Sequence, residues 1–175
     1  MKHILIISSH AASLINFRLP LIKELISKGN VVSVATTKYK FLENLQNKLI
    51  DLGVNIYTFS LSRSGLNFIQ DYKSFQEIRK IIKNCKPDII ISYTAKPVIY
   101  TGIILKSFSK ITYYPLITGL GYAFTEGNTF KRKILKYLMI KLYKEGLKSA
   151  AKVIFQNKDD QNLFYKLKII KKNNS

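Results

Sequence analysis

Short runs of apolar residues alternate with longer amphipathic segments along the whole chain of 175 residues. The first apolar run covers residues 3–8, and residues 16–28 follow it with the apolar spacing of a helix, closed by Gly29. Parallel strands need a crossover of this length, usually a helix, to return the chain to the same end of the sheet. The alternation therefore predicts an α/β fold made of βαβ units.

The same alternation repeats to the end of the chain and gives six strands and six helices. The predicted strands are 3–8, 31–36, 54–59, 88–92, 111–117 and 152–155, and the predicted helices are 16–28, 39–52, 67–84, 98–107, 130–147 and 158–167. We expect a Rossmann-like, doubly wound parallel sheet of about six strands in the order 3-2-1-4-5-6. A chain of this length can bury one sizeable core without disulfides or metals.

Ligands of such a sheet bind beyond the carboxyl ends of the strands, where the strand order reverses. Function is therefore predicted in the loops 8–17, 93–97 and 118–127, with 60–66 at their flank. The first loop offers hydroxyls, the His10 imidazole and Arg18 near a helix N-terminus, which suit sugar hydroxyls or phosphate. In the third, Gly119 and Gly121 allow a positive φ and close approach of a ligand, and Tyr122 and Phe124 offer faces on which a sugar ring can stack.

Several classes of protein lack their signatures here. No Gly-x-Gly-x-x-Gly turn, no phosphate-binding P-loop and no Gly-x-Ser-x-Gly elbow occurs in the sequence. Two histidines and one cysteine make no metal-ligand set, so no metal is expected. The lone Cys85 fits a reducing compartment, and no apolar run reaches the length of a membrane span, which together favour the cytoplasm.

Charge is the outlying property, because 29 Lys and Arg against 10 Asp and Glu give a formal net charge of +19. A Lys-rich composition explains part of it, but such a field attracts anionic partners. Segment 130–144 resembles a basic amphipathic helix, and it either binds anionic lipid or packs its apolar face on the sheet. Nucleic acid is not expected as a partner, since no recognition module is present. The predicted apolar face is Phe130, Ile134, Leu135, Leu138 and Leu142, and the predicted membrane-binding cations are Lys131, Arg132, Lys133 and Lys136.

Six short segments match one family in collinear order: SSHAAS (8–13), FRLPLI (17–22), SRSGLN (62–67), KPD (86–88), TGLG (118–121) and AKVIFQN (151–157). Together they resemble the N-terminal domain of GT-B glycosyltransferases of the GT4 type. The most similar members are bacterial enzymes that assemble lipid-linked oligosaccharides and surface polysaccharides. No single segment is specific, but their joint order along nearly the whole chain is.

The resemblance implies a retaining transfer of a sugar from a nucleotide sugar to a polyprenyl-diphosphate-linked glycan. It implies a peripheral position on the inner face of the bacterial plasma membrane and no required cofactor or metal. In this family the N-terminal domain holds the acceptor, and the C-terminal domain binds the nucleotide sugar. The residues expected to bind the acceptor are His10, Arg18, Arg63, Ser64, Thr94, Lys96, Thr118, Gly119, Gly121 and Tyr122.

The resemblance also divides the chain. Residues 1–167 correspond to the acceptor-side domain, and residues 168–175 to the start of an interdomain linker or a truncated tail. The family's donor domain with its Glu-x7-Glu pattern has no counterpart in the sequence, so we expect a fragment, a truncated product or one subunit of a split enzyme, inactive alone. The alternatives are a non-catalytic docking subunit for a separate donor-binding protein and, less favoured, a nucleic-acid-binding domain. Thr118 stands where many members carry a histidine, so no catalytic base is assigned.

Overall fold

The computed structural model describes residues 1–38, 43–62, 67–120, 124 and 129–171, apart from the side chains of residues 43–46 and 131. Strands and helices alternate strictly in this part of the chain. In chain order they are β1 (His3–Ser8), α1 (Ala11–Ser27), β2 (Val31–Thr37), α2 (Glu43–Ile50), β3 (Asn55–Phe59), α3 (Phe68–Cys85), β4 (Ile89–Tyr93), α4 (Ala95–Leu105), β5 (Thr112–Ile117), α5 (Phe130–Leu147), β6 (Ile154–Phe155) and α6 (Lys158–Lys166).

The six strands form one parallel sheet in the order β3-β2-β1-β4-β5-β6. This confirms the Rossmann-like α/β fold and the strand order that the sequence predicts. The chain divides into two compact units, Met1–Ile91 and Ser92–Ser175.

In the first unit, β1 and β2 are buried on both faces. Leu5 and Ile6 are neighbours on β1 and point to opposite faces of the sheet, yet both are fully buried. Helices cover both faces of a doubly wound sheet, so its strands show continuous apolar runs rather than alternation. Leu14 and Ile22 are the buried residues of α1, eight residues apart on one helical face.

In the second unit, α4, α5 and α6 share one apolar cluster. Tyr143 of α5 and Phe164 of α6 lie at its centre with ring centroids 5.2 Å apart in an edge-to-face arrangement. Val98 and Ile99 contribute from α4 and Ile117 from β5. This cluster fixes the helices around the ends of β5 and β6.

Two helices begin earlier than predicted, which makes two of the predicted loops wrong. α1 begins at Ala11 rather than at residue 16, with Pro20 inside it, and α4 begins at Ala95 rather than at residue 98. Pro97 is tolerated as the third residue of α4, because an N–H at that position has no partner within the helix. The remaining described boundaries agree within two residues, except that α2 is shorter, with residues 39–42 outside the described part.

Candidate functional site

The junction between β1 and α1 is short and tightly bonded. His10 is the N-cap of α1, where its Nδ1 accepts a hydrogen bond from the backbone N–H of Ser13 at 3.3 Å. The Ser13 hydroxyl donates in return to the His10 carbonyl at 2.6 Å. An Nδ1 that accepts leaves the proton of a neutral imidazole on Nε2. His10 is exposed at the end of β1 and therefore offers a donor there.

Hydroxyl groups from two strands hold this junction in place. The buried Ser8 hydroxyl accepts from the backbone N–H of His10 at 3.1 Å. Thr37, at the end of β2, donates its hydroxyl to the carbonyl of Ser9 at 3.0 Å. A residue fixed by its neighbours in this way presents its side chain without a large ordering cost on binding.

Arg18 does not lie where the sequence predicts. Because α1 begins at Ala11, Arg18 falls in the middle of the helix rather than near its N-terminus. It is half-buried, and its Nη1 donates to the carbonyl of Phe17 at 3.1 Å. The anion-binding N–H groups of a helix belong to its first turn, so the predicted cooperation between Arg18 and the helix end is wrong.

The junction between β4 and α4 carries a strained residue. Thr94 has φ 70° and ψ 146°, a region that β-branched residues rarely adopt, and its side chain does not cap the helix. The N–H groups of Ala95 and Lys96 therefore start α4 without a side-chain cap from Thr94. The half-buried Lys96 adds a positive charge to the same helix end. An anion such as phosphate suits this combination.

A buried tyrosine is hydrogen-bonded to a residue on each side of that junction. The hydroxyl of Tyr113 on β5 donates to the carbonyl of Val98 at 2.8 Å, so the hydroxyl of Ser92 must be the donor in its 2.6 Å contact with Tyr113. Burial raises the pKa of Tyr113, which stays a neutral donor. Ser92 lies at the end of β4 and Val98 in the first turn of α4. Sequence reasoning missed this network, although the hydroxyl of a fully buried tyrosine usually requires a hydrogen-bond partner.

The loop after β5 is described only in part. Thr118 is half-buried, and the exposed Gly119 has φ 140°, the positive φ that the sequence predicts for this turn. The half-buried Phe124 packs against the core cluster, 6.3 Å from Tyr143 between ring centroids, so part of its ring surface is used in the core. Gly121, Tyr122, Arg63 and Ser64 lie outside the described residues.

The structure confirms only part of the predicted apolar face of helix α5: Leu142 packs against the core cluster, and Leu135 and Leu138 are half-buried. Its packed side is Met139, Ile140, Leu142, Tyr143 and Leu147. Two residues of the predicted apolar face are instead exposed, Phe130 by 77% and Ile134 by 53%. With Tyr137, exposed by 60%, they follow helical spacing along one side. We call Phe130, Ile134 and Tyr137 the α5 stripe.

The predicted cations surround the first half of α5 but differ in exposure. Lys133 is exposed, Arg132 is half-buried, and the Nζ of the half-buried Lys136 lies 6.0 Å from the centroid of the Phe124 ring. Lys141 lies 4.6 Å from the ring of Tyr137. Lys131 belongs to the helix, but its side chain is outside the described part. Exposed apolar groups beside cations are typical of amphipathic helices that lie at a membrane surface.

In the first unit, His10 lies at the carboxyl end of β1. In the second unit, Thr94 and Lys96 lie at the carboxyl end of β4, and Thr118 and Gly119 lie at that of β5. Among the described residues, no three His, Cys, Asp or Glu side chains gather into a metal site. In the same part of the chain, none of the helices combines the length and the apolar character needed to cross a membrane.

Comparison with known proteins identifies relatives in sequence and in fold. The family described as glycosyl transferase 4-like matches residues 3–157. The N,N'-diacetylbacillosaminyl-diphospho-undecaprenol alpha-1,3-N-acetylgalactosaminyltransferase of Campylobacter jejuni subsp. jejuni serotype O:2 is 33% identical over 154 residues. That alignment covers 87% of this chain and 39% of the relative, so the chain spans well under half of that enzyme.

Solved structures share the fold at low sequence identity. MurG from Acinetobacter baumannii has a TM-score of 0.56 at 16% identity, over 89% of this chain and 40% of its own. The UDP-GlcNAc 2-epimerase from Methanocaldococcus jannaschii has a TM-score of 0.61 at 16% identity, over 99% of this chain and 44% of its own. S. aureus MnaA, in a co-structure with UDP, has a TM-score of 0.63 at 17% identity, over 99% of this chain and 44% of its own. Because epimerases stand among them, these likenesses show the fold and leave the activity to other evidence.

Proposed function

The chain belongs to the glycosyl transferase 4-like family, and from that premise we propose that it is the acceptor-binding part of a retaining glycosyltransferase. It would hold a polyprenyl-diphosphate-linked glycan at the inner face of the plasma membrane while a sugar is transferred from a nucleotide sugar. The observation that carries this proposal is the alignment with the Campylobacter enzyme, whose name specifies a diphospho-undecaprenol acceptor.

The geometry at the start of α4 supports an acceptor of this chemistry. A diphosphate needs hydrogen-bond donors and positive charge, and the first N–H groups of α4 together with Lys96 supply both. In the same unit, the hydroxyl of Thr118 suits sugar hydroxyls, which both donate and accept. In the first unit, the Nε2–H of His10 offers a donor of the same kind at the end of β1. We assign no catalytic base, since a threonine hydroxyl cannot take up a proton near neutral pH.

We further propose that the α5 stripe and the cations beside it place the chain on the membrane that carries the acceptor. Apolar side chains enter the boundary between headgroups and acyl chains, and lysines nearby are attracted to anionic lipid. The formal charge of +19 adds long-range attraction to the same surface. No metal or cofactor takes part in the proposed transfer.

The nucleotide sugar would be bound by a second domain or by a separate donor-binding subunit, so we expect the 175-residue chain to be inactive alone. The test is calorimetry with two ligands, a water-soluble prenyl diphosphate carrying an N-acetylhexosamine and a panel of nucleotide sugars, together with a transfer assay. We expect measurable acceptor binding, donor binding at least about tenfold weaker, and no product. Tighter binding of a nucleotide sugar than of the prenyl diphosphate would contradict the assignment.

A further inference from the structure

A cavity of about 640 Å³ lies at the C-terminal ends of α5 and α6. α5 leads into β6 and α6 follows it, so both helices end beside the N-terminal end of that strand. The proposed acceptor-binding residues lie at the opposite, carboxyl ends of the strands. The cavity is therefore separate from the candidate site. Its lining is Lys144, Leu147, Lys148, Tyr165, Lys168, Ile169, Ile170 and Lys171.

Half of this lining is lysine, and none of it is acidic. Lys and Arg together make up only 29 of the 175 residues, so composition alone does not concentrate four of them around one cavity. The dipole of a helix favours a cation near its C-terminus, which accounts for single lysines at the ends of α5 and α6. Four ammonium groups around one space repel one another unless an anion lies between them.

Little within the described residues neutralises these charges. Glu145 accepts from Lys148 at 2.6 Å and from Lys106 at 2.5 Å, so its single negative charge is shared with a lysine outside the cavity. In the part of the chain that the structure describes, no carboxylate pairs with Lys144, Lys168 or Lys171. The cavity therefore has a surplus of positive charge.

The inner surface of the cavity is apolar. Leu147 and Ile169 are exposed by 4% and 7% and belong to the core cluster, and Ile170 packs against it. The hydroxyl of Tyr165 accepts from the side-chain amide of Gln161 at 3.0 Å. Lysines beside buried apolar side chains suit a ligand with an anionic end and an apolar end. The volume is that of an ordinary small-molecule site.

We propose that this cavity binds a phosphate ester that carries an apolar group. The ester oxygens accept from the lysine ammonium groups, and the apolar part covers Leu147, Ile169 and Ile170. A soluble phosphorylated metabolite and a lipid headgroup share this chemistry, and the experiment below separates them.

The direct test is calorimetry of the full chain with decyl phosphate below its micelle concentration. The test variant is Lys144→Gln/Lys171→Gln, and the matched control is Lys80→Gln/Lys83→Gln on the exposed side of α3, which removes the same charge. We expect the test variant to lose about tenfold or more in affinity and the control to change by less than about twofold. Absence of binding to the wild-type chain, or equal losses in both variants, would overturn the proposal.

Vesicles of phosphatidylglycerol identify the source of the ligand. If the test variant also binds vesicles more weakly than the control does, the ligand is a lipid headgroup. If the two variants bind vesicles equally while only the test variant loses decyl phosphate, the ligand is a soluble ester. Either result sustains the cavity as a phosphate-ester site.

Lys168 provides a test that separates binding from folding. It has φ 52° in the turn that ends α6, where the N–H of Ile169 bonds to the carbonyl of Phe164, and glycine is favoured at this position. Lys86 has φ 47° after α3 and is a matched control. Lys168→Gly and Lys86→Gly should each raise Tm by about 2–4 °C, and only Lys168→Gly should weaken decyl phosphate binding. Undiminished binding by Lys168→Gly would contradict the proposal.

Discussion

Gly102 of α4 and Gly146 of α5 bring the backbones of the two helices into direct contact. A Cβ built on Gly102 would overlap the carbonyl oxygen of Gly146, and one built on Gly146 would lie 2.8 Å from the Cα of Ile99. The hydroxyl of Ser149 donates to the carbonyl of Gly102 at 2.9 Å beside this crossing. Helix α4, which begins next to Thr94, is thus packed against α5 by a contact that admits no side chain.

Gly102→Ala tests this crossing. In an unobstructed helix interior the change would stabilise by about 1 kcal/mol, but here the two helices must separate, at a cost of about 1–3 kcal/mol. The measurement is the free energy of unfolding by denaturant. Gly53→Ala is the control, because its added Cβ meets nothing within 4 Å and it carries only the cost of its φ of 72°. An unchanged or raised stability of Gly102→Ala would show that the helices do not meet in this way.

Thr94→Gly should increase stability and reduce acceptor binding. Glycine adopts the φ of 70° without the steric cost that threonine bears, a gain of about 1 kcal/mol, but it lacks the hydroxyl. Thermal unfolding and acceptor calorimetry measure the two effects separately. Thr112→Gly, at an exposed position on β5 with an ordinary φ, should lose about 0.5–1 kcal/mol. A loss of stability in Thr94→Gly would mean that its conformation is not strained.

Substitution of the α5 stripe should release the chain from membranes. We expect Phe130→Ser/Ile134→Ser/Tyr137→Ser to lower binding to phosphatidylglycerol vesicles by about tenfold or more, since each buried apolar side chain contributes on the order of 1 kcal/mol. The control removes a second set of exposed apolar groups, Phe68, Ile69 and Tyr72 at the start of α3. Co-sedimentation with vesicles gives the measurement. Equal losses of vesicle binding in the two triple variants would show that the α5 stripe is not the membrane-binding surface.

Glu145 makes part of the stability of the second unit depend on pH. Hydrogen bonds from Lys106 and Lys148 lower its pKa from 4.5 to about 2. A carboxyl whose pKa is lower in the folded state stabilises the fold above its unfolded pKa, and this contribution is lost as pH falls from 4.5 towards 2. Glu145→Gln should therefore unfold at a lower temperature than the wild type at pH 7, with the gap closing at acid pH and shrinking with added salt. A pH-independent gap would contradict the ion pairs.

The sequence predicts helix starts well where the cap is a conventional one. Asn67 caps α3 through a hydrogen bond from Gln70, and the predicted helix begins at that residue. His10 caps α1 through its ring nitrogen, and histidine is not among the preferred cap residues, so the start of α1 is missed by five residues. Arg18 is misplaced as a direct consequence.

Periodicity on α5 identifies apolar positions but cannot decide which of them pack. The packed side is determined by Gly146, where α4 approaches closely. The two residues of this contact, Gly102 and Gly146, are far apart in the sequence. Because this contact decides which side of α5 packs, Phe130 and Ile134 are exposed to solvent. The strain of Thr94 is likewise set by its neighbours in three dimensions, since nothing in its residue type indicates a positive φ.

The most direct test of the account is acceptor binding by two lysine variants of the second unit. Lys96 lies in the first turn of α4, and Lys110 is exposed near the opposite end of the same helix, before β5. With a water-soluble prenyl diphosphate carrying an N-acetylhexosamine, Lys96→Gln should reduce affinity by about tenfold or more, and Lys110→Gln by less than about twofold. Equal affinities of Lys96→Gln and the wild-type chain would contradict an acceptor diphosphate at the start of α4.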